Sequence, residues 1–163
     1  MDLRNQIRST LSALQVRAIS SGYDREAAVL MPVFEKDQEP HFLLTLRTEE
    51  VETHKGQISF PGGMRDGDES LEFTALRETR EEIGIDKARI EILGRFHDYL
   101  AITDYRVVPF VGYVQSPFHV VPQPTEVAEV LAVPFSIFLD PARLRTEKLM
   151  RRGMLIDVYF YSY

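Results

Sequence analysis

The first twenty residues carry apolar side chains at the spacing of an amphipathic helix. These side chains recur at steps of three and four, at Leu3, Ile7, Leu11, Leu14 and Ala18. Positions spaced in this way share one face, so the pattern predicts an opening helix with one buried stripe. The small and polar run Ser20-Ser21-Gly22 is expected to end it.

Beyond this helix, most apolar residues fall into short runs that are typical of β-strands. The runs cover residues 27–34 and 41–46, which flank a polar turn at 36–40, and then 58–60, 89–96, 106–114 and 154–161. Residues 117–124 are predicted to form a proline-rich loop, and residues 134–139 a short helix. Because strands and helices are mixed without strict alternation, we expect an α/β or α+β fold with a mixed sheet.

A second helix is predicted after the break at Pro61-Gly62-Gly63. Its apolar face would consist of Phe73, Ala75, Leu76, Thr79 and Ile83. Gly84 is a natural stop for this helix, and Asp66 followed by Glu69 has the spacing of a capping box at its start.

Composition narrows the class of protein. A length of 163 residues, with 44% hydrophobic and 27% charged residues, fits one ordinary globular domain. The formal charge of −6 argues against bulk attraction to nucleic acid. No apolar run approaches the roughly 20 residues that cross a bilayer. With no cysteine in the chain, we expect a cytoplasmic protein without a membrane or nucleic-acid partner.

The second helix has an unusual distribution of charge. Between residues 63 and 85 there are seven acids and three bases. Glu78 and Glu82 are four positions apart on one face, where like charges cost about 0.2–0.5 kcal/mol. A bound Mg²⁺ or Mn²⁺ would remove this repulsion, since both ions prefer oxygen ligands. From charge alone, a solvated acidic face neutralised by Arg77 and Arg80 remains an equally open interpretation.

The spacing around these acids resembles the Nudix box. Gly63 is followed after five residues by Glu69, and after seven more by the run from Arg77 to Ile85 that contains Glu78, Glu81, Glu82 and Gly84. One position departs, because Thr79 stands where the family usually has an aliphatic residue.

The resemblance implies a fold and a metal site. The fold would be an α/β/α sandwich with a mixed sheet, formed as a single Nudix domain over residues 1–163. Glu78, Glu81 and Glu82 match the glutamates that hold Mg²⁺ or Mn²⁺, and the carbonyl of Gly63 can complete the shell. Glu69 and Arg77 match a pair that orients the loop and the helix.

The resemblance also implies hydrolysis of a phosphoanhydride. Metal ions offset the negative charge that develops on the phosphoryl oxygens, and a carboxylate must accept the proton of the attacking water. Glu126, on a loop after the box, is the first candidate for this base. Glu78 and Glu81 remain open as alternatives.

An upstream segment is similar to the coenzyme A pyrophosphatase branch of the same family. It comprises Leu43-Leu44-Thr45-Leu46-Arg47, then Gly56, then Phe60-Pro61-Gly62-Gly63. An enzyme of this branch would release 3′,5′-ADP and 4′-phosphopantetheine from coenzyme A. Thr48 and Glu52 depart from the pattern, and Glu52 reverses the charge of the arginine that is usual there.

Several alternatives stay open. Arg47, Lys55 and Arg65 are candidate contacts to substrate phosphates, and each is also compatible with a solvated surface cation. ADP-ribose or another nucleoside-diphosphate sugar is the alternative substrate, and a non-catalytic nucleotide-binding module is the alternative class. A homodimer is compatible with the sequence. Relatives in this branch usually continue with another helix, so the chain is expected to be either a short version or an early stop.

Overall fold

The computed structural model describes residues 2–49, 56–101, 104–151 and 153–163. The elements in chain order are α1 Leu3–Ala13, β1 Arg25–Lys36, β2 Glu39–Arg47, β3 Ile58–Ser59, β4 Gly62–Met64, α2 Leu71–Ile83, β5 Ile90–Arg95, β6 Tyr99–Leu100, β7 Tyr105–Val114, β8 Val127–Pro134, α3 Phe135–Leu139, β9 Leu144–Arg151 and β10 Met154–Tyr161.

Strand β1 is at the centre of a mixed sheet. It runs parallel to β7 and antiparallel to β2 and β4. Strands β5 and β6 extend the sheet beyond β7, while β2 also pairs with β3 and β8. Helix α2 lies against β1 and β4, and α1 lies against β5. The predicted α/β class with a mixed sheet is therefore confirmed.

The turn between β1 and β2 is tighter than predicted. The strands extend to Lys36 and Glu39, so only Asp37 and Gln38 connect them, with φ values of 52° and 64°. Two residues with positive φ match the right-handed twist of a hairpin. The tight connection keeps β1 and β2 in one register and holds the sheet together at its middle.

Helix α2 begins later than the predicted capping box. Its N-cap is Ser70, whose hydroxyl accepts from the Phe73 N–H at 3.2 Å. The Glu69 carboxylate does accept from the Asp66 N–H at 3.1 Å, but within the preceding turn. At the other end Gly84 has φ 75°, as predicted for the stop. The buried face consists of Thr74, Ala75, Thr79, Glu82 and Ile83.

Helix α1 is shorter than its apolar periodicity predicts. It ends at Ala13, and residues 14–20 have no regular structure. Along this stretch the backbone bonds to the segment before β6, since Arg17 N–H donates to His97 Nδ1 and Ile19 N–H to Asp98 Oδ2. These tertiary hydrogen bonds replace the helical ones.

Four strands lie where no strand was predicted: β4, β6, β8 and β9. Strand β4 places Gly62 and Gly63 directly beside Val29 and Ala28 of β1. Strand β8 runs antiparallel to the whole second half of β2. Strands β9 and β10 form a separate hairpin.

The main hydrophobic core lies between α2 and the sheet. It contains Ala28, Leu30, Phe34, Leu43, Ala75, Ile83, Ile85, Ile90, Val108, Phe110 and Val114. A smaller cluster joins α3 to β2 and β8 through Leu44, Val133 and Ile137. Across the described ranges, none of the helices has the length and apolar character needed to cross a membrane.

Candidate active site

One cleft contains five of the ten predicted site residues. It has a volume of about 440 Å³ and lies where α2, β4, the end of β2 and the segment before β8 meet. Its walls are formed by Ala27, Val29, Arg47, Gly62, Gly63, Met64, Glu78, Glu82, Tyr105, Val107 and Glu126.

Glu82 is the most buried charged group in this cleft, with 3% of the residue exposed. Its Oε2 accepts from the Gly62 N–H at 3.2 Å, and its Oε1 lies 3.5 Å from Arg47 Nη1. Burial raises the pKa of Glu82 to about 7, although Gly62 and Arg47 oppose the shift, and the negative charges of Glu78 and Glu126 add to it.

Glu78 lies against the glycine of the β4 loop. A Cβ on Gly63 would lie 2.4–2.6 Å from the carboxylate atoms of Glu78, so only glycine leaves room for this carboxylate. Burial raises the pKa of Glu78 even though Arg77 lies beside it, and Glu81 and Glu126 contribute in the same direction. Two carboxylates on one helix face therefore both resist ionisation.

Arg77 connects the loop to the helix. Its Nη2 donates to Glu69 Oε1 at 2.7 Å and to the Met64 carbonyl at 3.1 Å. Its Nη1 donates to Glu78 Oε1 at 2.8 Å and to Glu81 Oε2 at 3.1 Å. The hydrogen bonds from Arg77 lower the pKa of Glu69 to about 2. The Glu69–Arg77 contact implied by the resemblance is thus present, while the Glu81 side chain is 59% exposed and does not line the cleft.

Glu126 lines the cleft from the segment before β8. It is exposed and directly precedes β8. Its carbonyl accepts from the Thr48 N–H at 3.0 Å, and the Thr48 hydroxyl donates to the Thr125 carbonyl at 3.0 Å. These bonds fix the loop of Glu126 to the end of β2, so Glu126 faces Glu78 and Glu82 across the cleft.

The three predicted phosphate contacts have different surroundings. Arg47 lines the cleft, and its buried Nε has no hydrogen-bond partner among the residues that the structure describes. Arg65 does not line the cleft, since its Nη1 donates to Glu26 Oε2 and its Nε to the Glu69 carbonyl, both at 2.7 Å. Lys55, together with His54 and Glu52, lies outside the described residues.

The donor set fits a divalent cation by its chemistry. No three His, Asp or Glu side chains of the described segments stand close enough together to hold a metal ion in their present positions. Glu78 is paired with Arg77, and Glu82 with Arg47. Yet the two arginines do not offset the burial of Glu78 and Glu82, whose pKa values stay raised. A divalent cation would supply that missing positive charge.

Two contributors to the site could not be found by sequence reasoning. Gly62 donates its backbone N–H to Glu82, and Glu26 holds Arg65. A backbone donor carries no side-chain signal. Glu26 is a single acid at the start of an apolar strand, so only its position at a strand end could have drawn attention to it.

The sequence is similar to known protein families over most of its length. A family model described as the NUDIX domain matches residues 24–153. A protein of Photorhabdus laumondii named uncharacterized Nudix hydrolase NudL is 38% identical over 144 residues, which cover 88% of this chain and 76% of that one. Nudix hydrolase 22, chloroplastic, of Arabidopsis thaliana is 35% identical over 85% of this chain, which spans only 47% of the plant protein.

Solved structures share the fold. An Ap4A hydrolase of C. elegans, described as a binary complex, has a TM-score of 0.59 at 21% identity and covers 69% of this chain and 82% of its own. The NUDIX domain of Shewanella oneidensis NrtR, complexed with ADP ribose, has a TM-score of 0.57 at 22% identity over 74% and 78% of the two chains. Similarity at this level of identity concerns the arrangement of strands and helices alone.

Proposed function

Since the chain belongs to the Nudix family of hydrolases, we propose that it cleaves the phosphoanhydride of a nucleoside-diphosphate derivative in the cleft between α2 and β8, and that coenzyme A or an acyl-coenzyme A is the substrate. One observation carries the proposal. Glu82 is buried and Glu78, one turn earlier, is half-buried, and both have raised pKa values in a cleft that also contains Arg47, Gly63 and Glu126.

Mg²⁺ or Mn²⁺ is the cofactor in this proposal. Glu82 and Glu78 would hold it, with the exposed Glu81 and the Gly63 carbonyl as further oxygen ligands. When bound, the ion supplies positive charge that stabilises the phosphoryl oxygens and the leaving group. Binding the cation also stabilises the charged form of the buried carboxylates.

The remaining chemistry belongs to the chain's own residues. A water oxygen forms a bond to phosphorus, the bridging P–O bond breaks toward the leaving phosphate, and the proton of the water passes to a carboxylate. Glu126 is suited to accept this proton because it is exposed and faces Glu78 and Glu82. Arg47 lines the same cleft with a side chain that is 22% exposed, so its guanidinium can donate to a phosphate oxygen.

The coenzyme A assignment rests on the upstream segment. Of the matching residues, Arg47 of β2 and Gly62 and Gly63 of β4 line the cleft. Arg47 N–H donates to the Gln57 carbonyl at 2.9 Å, so the two ends of the loop between β2 and β3 lie together beside the cleft. A substrate longer than a nucleoside diphosphate would contact these two ends, at Arg47 and Gln57.

Turnover of matched substrates tests the assignment. Coenzyme A, ADP-ribose and Ap4A should be compared with Mg²⁺ and with Mn²⁺, with products resolved by chromatography. We expect the highest kcat/KM for coenzyme A, with 3′,5′-ADP and 4′-phosphopantetheine as products. A preference for ADP-ribose would reject coenzyme A as the substrate and would leave the hydrolase and its metal site in place.

The role of Glu126 has a matched control in Glu129. Both are exposed acids at the start of β8, but only Glu126 lines the cleft. Loss of a general base typically costs about 10²–10⁴-fold in rate. We expect Glu126→Gln to lower kcat in this range and Glu129→Gln to leave kcat within about twofold. If the two variants changed kcat equally, Glu78 or Glu81 would be the general base instead.

A nucleoside-diphosphate sugar is the second candidate substrate. It is supported by Glu52, which reverses a charge in the upstream segment. The non-catalytic module is disfavoured because Glu69, Glu78, Glu81 and Glu82 are all retained. Absence of turnover on every nucleotide tested, together with tight nucleotide binding, would favour the module instead.

A second copy of the chain is the partner that we propose for the hairpin of β9 and β10. Its exposed apolar residues include Met150, Leu155 and Tyr159. Lys148 and Asp157 lie opposite each other in its register, so two hairpins related by a two-fold axis can pair these charges. Light scattering after size-exclusion chromatography should give a dimer mass, and Leu155→Glu should give a monomer mass. A monomer for both proteins would refute this partner.

A further inference from the structure

A chain of alternating charges runs from the sheet to the catalytic helix, outside the cleft itself. Glu26, in the second position of β1, is its central member. Glu26 Oε2 accepts from Arg65 Nη1 and Glu26 Oε1 from Arg106 Nη1, each at 2.7 Å. Hydrogen bonds from Arg65 and Arg106 outweigh burial and lower the pKa of Glu26. The carboxylate is thus charged and fully engaged by two arginines at neutral pH.

One side of this chain leads to the loop before α2. Arg65 also donates from Nε to the Glu69 carbonyl at 2.7 Å, and its backbone N–H donates to the Glu26 carbonyl at 2.9 Å. The guanidinium therefore spans from β1 to the last turn before the helix. A planar group with two fixed donor directions sets both position and orientation.

The loop passes this restraint on to the catalytic carboxylates. Glu69, whose carbonyl Arg65 holds, binds Arg77 through its carboxylate. Arg77 in turn donates to Glu78 Oε1 at 2.8 Å. Only Arg65, Glu69 and Arg77 separate Glu26 from Glu78.

The other side of the chain is anchored in the sheet. Arg106 Nε donates to Asp98 Oδ2 at 2.8 Å, and the Asp98 side chain is completely buried. Asp98 also accepts from the Ile19 N–H and pairs with Arg95. A charge held by several donors in a buried position does not move without a large cost in free energy. Glu26 therefore links the buried Asp98 carboxylate, through Arg106, to the loop before α2.

We propose that Glu26 is a positioning residue for catalysis, which acts through Arg65 to fix the loop of residues 65–70 and hence the orientation of Glu69, Arg77 and Glu78. The proposal rests on the proposed hydrolase function. It also reassigns Arg65 from a contact with substrate phosphate to a structural link. Recruiting Arg65 to a phosphate would break its bonds to both Glu26 and Glu69.

The two roles of Arg65 predict different kinetics. Arg65→Lys keeps the positive charge but cannot bond Glu26 and the Glu69 carbonyl in the same fork geometry. A misplaced catalytic group costs up to about 10²-fold in rate, so we expect Glu26→Gln and Arg65→Lys each to lower kcat about 10- to 100-fold with KM within about twofold. The double variant should be no slower than the slower single variant, because both changes break one link.

Two further variants serve as controls. Glu35→Gln alters an exposed acid of the same strand that accepts from the Tyr113 hydroxyl at 3.0 Å, and it should keep kcat within about twofold. Glu26→Asp keeps the charge and should restore part of the kcat lost in Glu26→Gln. If Glu26→Gln does not fold, Arg65→Lys decides, since it leaves Glu26 paired with Arg106.

Amide hydrogen exchange provides a measurement that needs no substrate. In metal-free protein, Glu26→Gln and Arg65→Lys should speed exchange in residues 65–70 at least about tenfold, and Glu35→Gln should not. Because the exchange measurement needs no substrate, a wrong substrate assignment would not affect it. The kinetic assays use whichever nucleotide is turned over. Unchanged exchange in the loop, or an Arg65→Lys variant with raised KM and normal kcat, would overturn the proposal.

Discussion

Glu82 is an acidic residue at a buried position, and burial disfavours its ionised form. The residue is 3% exposed, and its nearest cation, Arg47, remains 3.5 Å away. Burial of this carboxylate raises its pKa to about 7, so at neutral pH part of the population is protonated in the absence of a metal. Such a group lowers the free energy of unfolding, and enzymes tolerate this cost where the group is needed for function.

Replacement of Glu82 by glutamine should separate stability from activity. The folded-state pKa of Glu82, about 7, lies above the ordinary value of 4.5. Below pH 4.5 the carboxyl is protonated in both the folded and the unfolded chain, and the folded state carries no penalty. As the pH rises from 4.5 through 7, the folded protein loses stability, because the unfolded chain releases this proton more readily. In metal-free protein, Glu82→Gln should therefore gain up to about 3 kcal/mol at pH 8 and almost nothing near pH 4.5. Melting temperatures with a chelator at the two pH values measure this difference.

The same variant should lose activity. Removal of a charge-stabilising group in an active site costs about 10²–10³-fold in kcat, and Glu82→Gln should fall in that range. Glu72→Gln, an exposed acid in the first turn of α2, is the matched control and should retain both melting temperature and rate. Normal hydrolysis by Glu82→Gln would disprove the metal-binding role of Glu82.

The spacing of the box identified the acids of this cleft, but the burial of each acid depends on tertiary structure. Glu78, Glu81 and Glu82 are the same residue type in one predicted helix, yet Glu82 is buried and the Glu81 side chain is 59% exposed. The proximity of Arg47 to Glu82 follows from the register of β2. That of Glu126 follows from the pairing of β8 with β2, which no local pattern predicts.

At the scale of elements, α2 buries two threonines that have different partners. Thr74 and Thr79 are both 0% exposed. The Thr79 hydroxyl donates to the Ala75 carbonyl at 2.7 Å, one turn back in its own helix. The Thr74 hydroxyl lies 2.8 Å from the charged Glu69 carboxylate and 3.2 Å from the Ser70 carbonyl, and it can donate to either. The Thr79 hydroxyl is therefore satisfied within its own helix, while the Thr74 hydroxyl also ties the helix to the preceding loop.

Valine at each position provides a matched pair of variants. Thr79→Val leaves no buried group unpaired, since the Ala75 carbonyl lies in the helix ladder, so stability should change by less than about 1 kcal/mol. Thr74→Val removes a hydrogen bond to a charged group and should cost about 2 kcal/mol. Urea unfolding at neutral pH compares them, and equal losses would show that the partner of the hydroxyl does not matter.

The elements with clear periodicity were predictable, and the others were fixed by pairing. Helix α2 and strands β1, β2, β5, β7 and β10 follow their apolar patterns closely. Strand β9 contains Glu147, Lys148 and Met150, which favour helix locally, and it is a strand because β10 pairs along its length. Strand β4 has almost no side chains to signal it, because Gly62 and Gly63 pair through the backbone alone.

At the scale of the whole molecule, Asp98 joins distant parts of the chain. Its buried carboxylate bonds Arg95, Arg106 and the Ile19 N–H, so it fixes the segment after α1 to the sheet. Burial alone would raise its pKa, but the Ile19 N–H and the two arginines reverse the shift and hold the pKa below the ordinary 3.8. These contacts stabilise the folded protein as long as the Asp98 carboxylate is charged.

Loss of the Asp98 charge should lower the free energy of unfolding over a defined range of pH. Breaking a buried ion pair costs about 3–5 kcal/mol, so Asp98→Asn should lose about that much at pH 7. Because the folded-state pKa is depressed, the contribution is present above about pH 4 and disappears as the pH falls through the folded-state value, so the gap to the native protein should close in acid. Asp24→Asn, at an exposed position, is the control.

The contact between Gly63 and Glu78 also determines which variants a saturation library can recover. At Gly63 any side chain would occupy the space of the Glu78 carboxylate, so active clones should carry glycine alone. Gly67, in the same loop, has φ +50° and nothing within 4 Å of an added Cβ, so asparagine and aspartate should also survive there. Laboratory evolution of a new specificity thus has freedom at residue 67 and none four positions earlier.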